Sequence, residues 1–300
     1  MFSVWLRIIR IKFLLASVIG ITVGLTYAYY NYMVFDFFAA LLTYIGVIFL
    51  HASVDVFNDY WDFKRGIDTS TKRTKYSGGT GVLPENKISP KMAYRMGLIF
   101  LILGITIGIY FVIQSGFFIA IILAIAVVSI YFYSTTIVNI GLGELLVAIK
   151  GAMIVIGTVY VQVQTIDLSL LPISIIIGSL SSIVLFVASF PDYEADRSKG
   201  RRTLVILLGK KKGSLYFPFF IIVIYSLIIF SIFLEYLPLY AFLSFLGIFF
   251  AYKAVKRLRE DFENHDKLVD AIQNTIVFSR IVGISTFLSF IISIIINMIK

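Results

Sequence analysis

The sequence predicts an all-α integral membrane protein, one domain over residues 1-300 built as a bundle of nine transmembrane helices. Three observations predict it. The chain is 59% hydrophobic with only 14% charged residues, and its mean hydropathy is +0.95, a composition of membrane spans rather than of a large soluble core. Nine apolar stretches each approach the roughly 20 residues that a helix needs to cross the hydrocarbon layer. Lysine and arginine then fall in every second connection, as the preference of short cytoplasmic loops for positive charge requires.

The stretches lie at 12-32, 35-57, 92-113, 116-138, 142-163, 168-190, 214-234, 236-252 and 275-299. The bilayer offers no partner to exposed backbone groups, and strand-like alternation is absent, so helices are the class these stretches fit. The first runs past signal-peptide length into Tyr-rich sequence with no small-x-small cleavage site, and is read as a retained helix. With the N-terminus cytoplasmic, the inner segments carry Arg7, Arg10 and Lys12, then Lys64 to Arg95, Arg197 to Lys212, and Lys253 to Lys267. The outer turns near 31-35, 113-116, 164-168 and 234-237 carry no basic residue, and Lys300 alone falls on the far side. The formal charge of +9 is accounted for by this asymmetry together with attraction for anionic headgroups or an anionic substrate, so no nucleic-acid partner is needed. No linker and no soluble insertion separates the spans, and no obligatory protein partner is implied. The absence of cysteine excludes disulfides, thiolate metal sites and a cysteine nucleophile.

Two acidic clusters interrupt this apolar chain, N58-D-Y-W-D62-F-K-R-G-I-D68 and D192-Y-E-A-D196-R-S-K-G200, in the loops of about 58-91 and 192-213 on the inner side. At about 100° per residue, Asp55, Asn58, Asp59 and Asp62 fall within an arc of roughly 100° on one helix face. Asp192 and Asp196 stand one turn apart, with Lys199 beside them and Glu194 opposite. Sulfur-free, oxygen-rich sets of this kind suit Mg²⁺, which keeps waters and is completed by substrate phosphates. The metal set is therefore Asn58, Asp59, Asp62, Asp192 and Asp196, clamping a diphosphate. Basic residues follow both clusters, Lys64, Arg65, Lys72, Arg73 and Lys75 after the first, Arg197, Lys199, Arg201 and Arg202 after the second. They can take phosphate oxygens directly. Solvated loop ends are the plain alternative, but the clusters share the frame N/D-x-x-x-D-x-x-x-G, Asp62 and Asp196 each being followed four residues on by Gly66 and Gly200. A cation transporter would set such acids near the midplane without flanking positive charge.

These residues resemble the UbiA superfamily of intramembrane prenyltransferases, whose members carry N-D-x-x-D and D-x-x-x-D motifs at the inner ends of the second and sixth of nine helices around a central cavity. Gly66, Asp68, S77-G-G-T-G-V-L83, G141-L-G-E144, G157-T-V-Y-V-Q162 and G200-R-R-T-L-V-I-L-L-G209 look like the branch that prenylates 1,4-dihydroxy-2-naphthoate in menaquinone synthesis. The resemblance covers most of residues 7 to 212. It implies transfer of a polyprenyl group from a prenyl diphosphate to an aromatic acceptor, with two Mg²⁺ ions bridging the diphosphate. Asp62, Asp196 and Asp68 are the catalytic candidates, and Arg73, Lys75, Lys199, Arg201 and Arg202 the diphosphate ligands. Tyr60, Trp61 and Tyr133 are candidates to shelter an allylic cation, and the Ser77, Gly78, Gly79 segment to form a flexible cap.

The chain departs from that branch at Asp55, where Asn is usual, at Y133-S-T-T136, and at Lys150, a position more often apolar. The acceptor therefore stays open among dihydroxynaphthoate, 4-hydroxybenzoate, homogentisate, chlorin or haem, and glycerol phosphate types. Glu144 and Lys150 are ionisable groups within an apolar stretch and so candidates for contact with acceptor or partner helix. His51, one turn before Asp55, is read as a packing histidine, and Arg280 as an interfacial anchor.

Overall fold

A computed structural model describes residues 2–299, and Lys300, expected on the far side of the membrane, lies outside the described residues. A short helix α1 (Phe2–Ile8) leads into α2 (Ile11–Tyr32) and α3 (Phe37–Lys64). After a long loop come α4 (Pro90–Ser115) and α5 (Phe117–Phe132), then α6 (Gly143–Val163) and α7 (Leu170–Ala188). Two short helices, α8 (Tyr193–Ser198) and α9 (Leu204–Leu208), precede α10 (Lys210–Phe233). A 3₁₀ run over Leu239–Gly247 continues into α11 (Ile248–Asp261), and α12 (Leu268–Ile299) closes the chain. Eight of these segments are long and apolar enough to cross a bilayer.

The ninth expected span differs. The stretch 116-138 ends its α-helix at Phe132, and at 1.5 Å per residue α5 is only about 24 Å long. Residues 134–136 are Ser-Thr-Thr, whose hydroxyls compete with the helical ladder, and their groups are used elsewhere. Ser134 donates to Asn58 at 2.9 Å, and the Thr135 carbonyl accepts from Arg65 at 2.9 Å. The helix at 35-57 runs on to Lys64, so Asn58 to Asp62 lie at its C-terminal end as the helix geometry requires, while Gly66 and Asp68 fall in the turn beyond it.

Termini and turns follow local chemistry. Asp36 caps α3 through the Ala39 amide, and Ser89 caps α4 through Met92 with Pro90 at the first helical position. Gly116, at φ 81°, makes the reversal between α4 and α5. Several hydroxyls within the spans turn back onto their own helix, as Thr22 does to Val18, Thr158 to Ile154 and Ser174 to Leu170.

Close backbone approach sets the packing, because apolar spans gain little from burial against lipid-like neighbours. A methyl group at Gly151 would meet the Gly178 Cα at 2.7 Å, which fixes the α6–α7 crossing. Gly97 lies against Phe57, and Gly104 against Leu50, where α4 crosses α3. The main core surrounds α7, with Ile173, Ile176, Phe186 and Phe190 against Phe217 of α10 and Phe278 of α12. Phe37, Ile113, Phe117 and Phe233 are exposed, as a lipid-facing surface requires. Helices α2 to α7 leave between them a cavity of about 400 Å³ whose mouth holds both acidic clusters.

Candidate active site

The acids at the mouth arrive from two segments more than a hundred residues apart. Asn58 and Asp62 come from the last two turns of α3, while Asp192 caps α8 and Asp196 lies in it; all four line the cavity. Both acidic frames end in a left-handed glycine, Gly66 at φ 73° and Gly200 at φ 80°, which turns each segment sharply after its acids. Arg201 follows Gly200 directly, and the turn delivers its guanidinium between the clusters. It bonds Asp62 and reaches Asp196 at 3.3 Å, and Asn58 lies at 3.4 Å. Asp62 and Asp196 are each 3% exposed.

One guanidinium does not balance this charge. Burial pushes the Asp192 carboxyl up to about 7, with Asp196 adding to the rise, and burial lifts Asp196 to about 6 against the pull of Arg201. Asp68, buried under the loop, is lifted to about 8 by burial and then by Asp62 and Asp59. Asp192 Oδ1 and Asp68 Oδ2 are buried without a hydrogen-bond partner. Among the described residues no three acids or histidines form a closed cage for an ion. An all-oxygen set left open to the cavity, with orphaned carboxylate oxygens, fits Mg²⁺ that takes its remaining ligands from water and a diphosphate. Asn58, Asp62, Asp192 and Asp196 are the residues placed to hold it.

The loop after α3 covers this mouth, and hydrogen bonds join it to the acids beneath. Asp192 accepts the Gly78 amide at 2.9 Å. Asp59 accepts from Thr80, and Arg7 donates to the Thr80 carbonyl at 2.6 Å. Gly79, at φ 68°, lies so close to the Asp68 carboxylate that no side chain fits between. Ser77, Gly78 and Gly79 all face the cavity, as does Tyr133.

Several expected site residues stand elsewhere. Asp59 turns out of the cavity, because Arg10 reaches it at 2.7 Å and Thr80 takes its other side. Arg73 pairs with Glu85 at 2.6 Å, and Lys75 lies over the Tyr76 ring at 5.1 Å, so neither faces the mouth. Lys199 and Arg202 are exposed and do not line the cavity. Tyr60 and Trp61 sit on the far face of α3, with Tyr60 against Tyr94 at 5.0 Å and the Lys64 ammonium over both rings. Glu144 lines the cavity, but its Oε1 accepts the Leu204 amide at 3.0 Å, which seats α9. Arg280 also lines the cavity and donates to the Lys12 carbonyl at 3.0 Å. Arg10 was not legible as a site residue; its place in an inner basic segment is the single signal it leaves in the sequence. Deeper in the cavity lie Asp55, His51 and Lys150.

A model of the UbiA prenyltransferase family matches residues 17–272, which include both acidic clusters. The chain belongs to the UbiA prenyltransferase family. Among curated proteins it is 28% identical over 202 residues to the 1,4-dihydroxy-2-naphthoate octaprenyltransferase of Bacillus subtilis, across 66% of this chain and 63% of that protein. The chain thus spans less than two thirds of that relative's length. It is 29% identical to the Haemophilus influenzae protein of the same name, over 71% of this chain and 72% of that one. Among solved structures, an apo UbiA homolog from Aeropyrum pernix superposes with a TM-score of 0.70 at 17% identity, covering 96% of this chain and 98% of the other. A UbiA homolog from Archaeoglobus fulgidus bound to GPP and Mg²⁺ gives 0.63 at 13% identity, over 95% and 99% of the two chains. At those identities the likeness is one of fold.

Proposed function

We propose that this protein is a magnesium-dependent prenyltransferase that moves a polyprenyl group from its diphosphate to 1,4-dihydroxy-2-naphthoate within the membrane. The observation that carries the reading is the convergence of Asn58, Asp62, Asp192 and Asp196 on one cavity mouth, around Arg201. The naphthoate prenyltransferases among its relatives, and the Mg²⁺ and GPP bound by a structural neighbour, support the donor and acceptor assigned.

Asn58, Asp62, Asp192 and Asp196 are the residues that would hold Mg²⁺, two ions in this reading, and Arg201 is placed to donate to the diphosphate oxygens. Magnesium supplies charge neutralisation for the departing diphosphate. The allylic C–O bond breaks with its electron pair leaving on the diphosphate, and a ring carbon of the acceptor supplies the pair for the new C–C bond. The ring then sheds the group at that carbon, a proton or, for the naphthoate, carbon dioxide. Tyr133 offers an aromatic face beside the reacting carbon, and the anchored Ser77 to Gly81 segment keeps water from quenching the cation. The prenyl tail runs along the apolar wall formed by Val47, Leu50, Val54, Ile107 and Ile122. The basic inner segments orient the chain with nine crossings, the N-terminus and the active-site mouth on the cytoplasmic side.

Purified protein given geranylgeranyl diphosphate and a panel of acceptors, read by mass spectrometry, tests this. The expected product is prenylated naphthalenediol with loss of carbon dioxide, abolished by chelator, restored by Mg²⁺, and absent from Asp62→Ala and Asp196→Ala. Full activity after exhaustive chelation sinks the metal assignment, and product from another acceptor class alone sinks the naphthoate.

A further inference from the structure

A second polar group lies deeper in the same cavity, among the otherwise apolar walls, and the diphosphate chemistry does not use it. Ser17 of α2 and His51 Nδ1 of α3 are hydrogen-bonded at 2.7 Å. His51 Nε2 stands 3.8 Å from Asp55 Oδ2, too long for a hydrogen bond, and that oxygen is buried with no partner. Lys150 enters from α6 on the other side of the cavity, within electrostatic reach of both Asp55 and His51. Among the described residues Lys150 makes neither an ion pair within 4.0 Å nor a hydrogen bond.

An ammonium and a carboxylate that share a low-dielectric cavity and stay apart are each costly. Had they served only to neutralise one another, a lysine stem would have closed the gap. The cavity thus carries a cationic donor on α6 and a carboxylate acceptor on α3, and its lining includes apolar side chains such as Ile130, Val147 and Ile154. That pattern complements a flat apolar ring bearing a carboxylate for Lys150 and a hydroxyl that donates to Asp55. Asp55 lies one helical turn inward of Asn58, so a ring held there sits next to the diphosphate end of a bound donor without overlapping it.

We propose that Lys150 and Asp55 form the acceptor subsite, selective for a hydroxyaryl carboxylate, with Lys150 taking the carboxylate and Asp55 the hydroxyl. His51, fixed by Ser17, stands one turn further in beside Asp55. The assignment of the bound ring as the prenyl acceptor rests on the transferase reading above; the subsite's ligand class does not.

The test is equilibrium binding to the full-length protein in nanodiscs, with 1-hydroxy-2-naphthoate and 1-naphthol as probes and Mg²⁺ geranylgeranyl diphosphate as the donor control. Wild type is expected to prefer the acid to the naphthol. Lys150→Met should weaken the acid roughly tenfold to a hundredfold, the worth of a charge-assisted hydrogen bond, while leaving donor and naphthol affinity as they were. Lys150→Arg should recover most of the loss, and Asp55→Asn should weaken acid and naphthol together. Equal wild-type affinity for the two probes overturns the subsite, as does a Lys150→Met variant that loses donor and both probes alike, the signature of a structural role. Lys150-dependent acid binding without any prenylated product removes the transferase and keeps the subsite. Product formation indifferent to Lys150→Met removes the subsite and keeps the transferase.

Discussion

Arg201 donates to Asp62 from a loop 139 residues further along the chain, and its other guanidinium nitrogen reaches Asp196 at 3.3 Å. This single cation holds two buried carboxylates in one place before any metal or substrate arrives. Arg201→Met keeps the stem's packing and leaves Asp62 and Asp196 facing each other uncompensated. Breaking a buried pair from one side costs about 3–5 kcal/mol. The expected outcome is a large drop in the melting temperature of metal-free protein, largely recovered by Mg²⁺, with transfer activity severely reduced. A variant as stable as wild type without metal would show that Arg201 does not carry this load.

Asp192 does two things, and two substitutions separate them. As a site acid it faces the cavity, and as a latch it accepts the Gly78 amide at 2.9 Å. Asp192→Asn keeps an acceptor oxygen for Gly78 but loses the charge, whereas Asp192→Ala loses both. Both are expected to lose most activity, but hydrogen exchange over residues 74–81 should rise only in Asp192→Ala. Equal exchange in the two variants would assign the loop's order to Asp59 and Arg7 instead.

The four acids and amides of the mouth were legible in the sequence because spacing alone determines them. An N/D-x-x-x-D pair lies on one helix face whatever it packs against, and a glycine four residues on marks the turn, left-handed at Gly66 and Gly200. What spacing does not determine is the partner. Asp59 shares the predicted arc with Asp62, yet Arg10, 49 residues away, and Thr80 hold it buried beside the cavity rather than lining it. Arg73 carries the charge a phosphate wants, but Glu85 lies nearer. Tyr60 and Trp61 are aromatic and adjacent to the motif, but Tyr60, two residues from both Asn58 and Asp62, packs against Tyr94 of α4, and Trp61 packs against Tyr60. The break at Phe132 falls where Tyr-Ser-Thr-Thr interrupts the apolar stretch 116-138, and it is made there because the Ser-Thr-Thr hydroxyls and carbonyls are spent on α3 and its C-terminus.

The α6–α7 crossing depends on the absence of a side chain at Gly178, whose Cβ position coincides with the Ala148 carbonyl. Gly178→Ala must push the two helices apart, and overpacking of this kind costs about 1–3 kcal/mol. Gly157→Ala is the control, since its methyl group would meet Ile122 at an ordinary 3.7 Å. Thermal unfolding in detergent should show a clear loss for the first and none for the second.

Glu85 sits between two arginines, accepting from Arg7 at 2.6 and 2.9 Å and from Arg73 at 2.6 Å, and so clasps the N-terminal segment to the loop that covers the site. Those hydrogen bonds, Arg7 first, pull its carboxyl down to about 2. An acid whose folded value lies below its unfolded one of about 4.3 adds stability above the unfolded value and loses it as pH falls through the folded one. Wild type should therefore exceed Glu85→Gln in melting temperature by a constant margin from neutral pH down to about 4.3. The margin should then shrink as pH falls toward about 2. Because the clasp is exposed to solvent, the margin is expected to be small and to narrow with added salt. A margin that vanishes already near neutral pH would mean that the two arginines do not hold Glu85 in its ionised form.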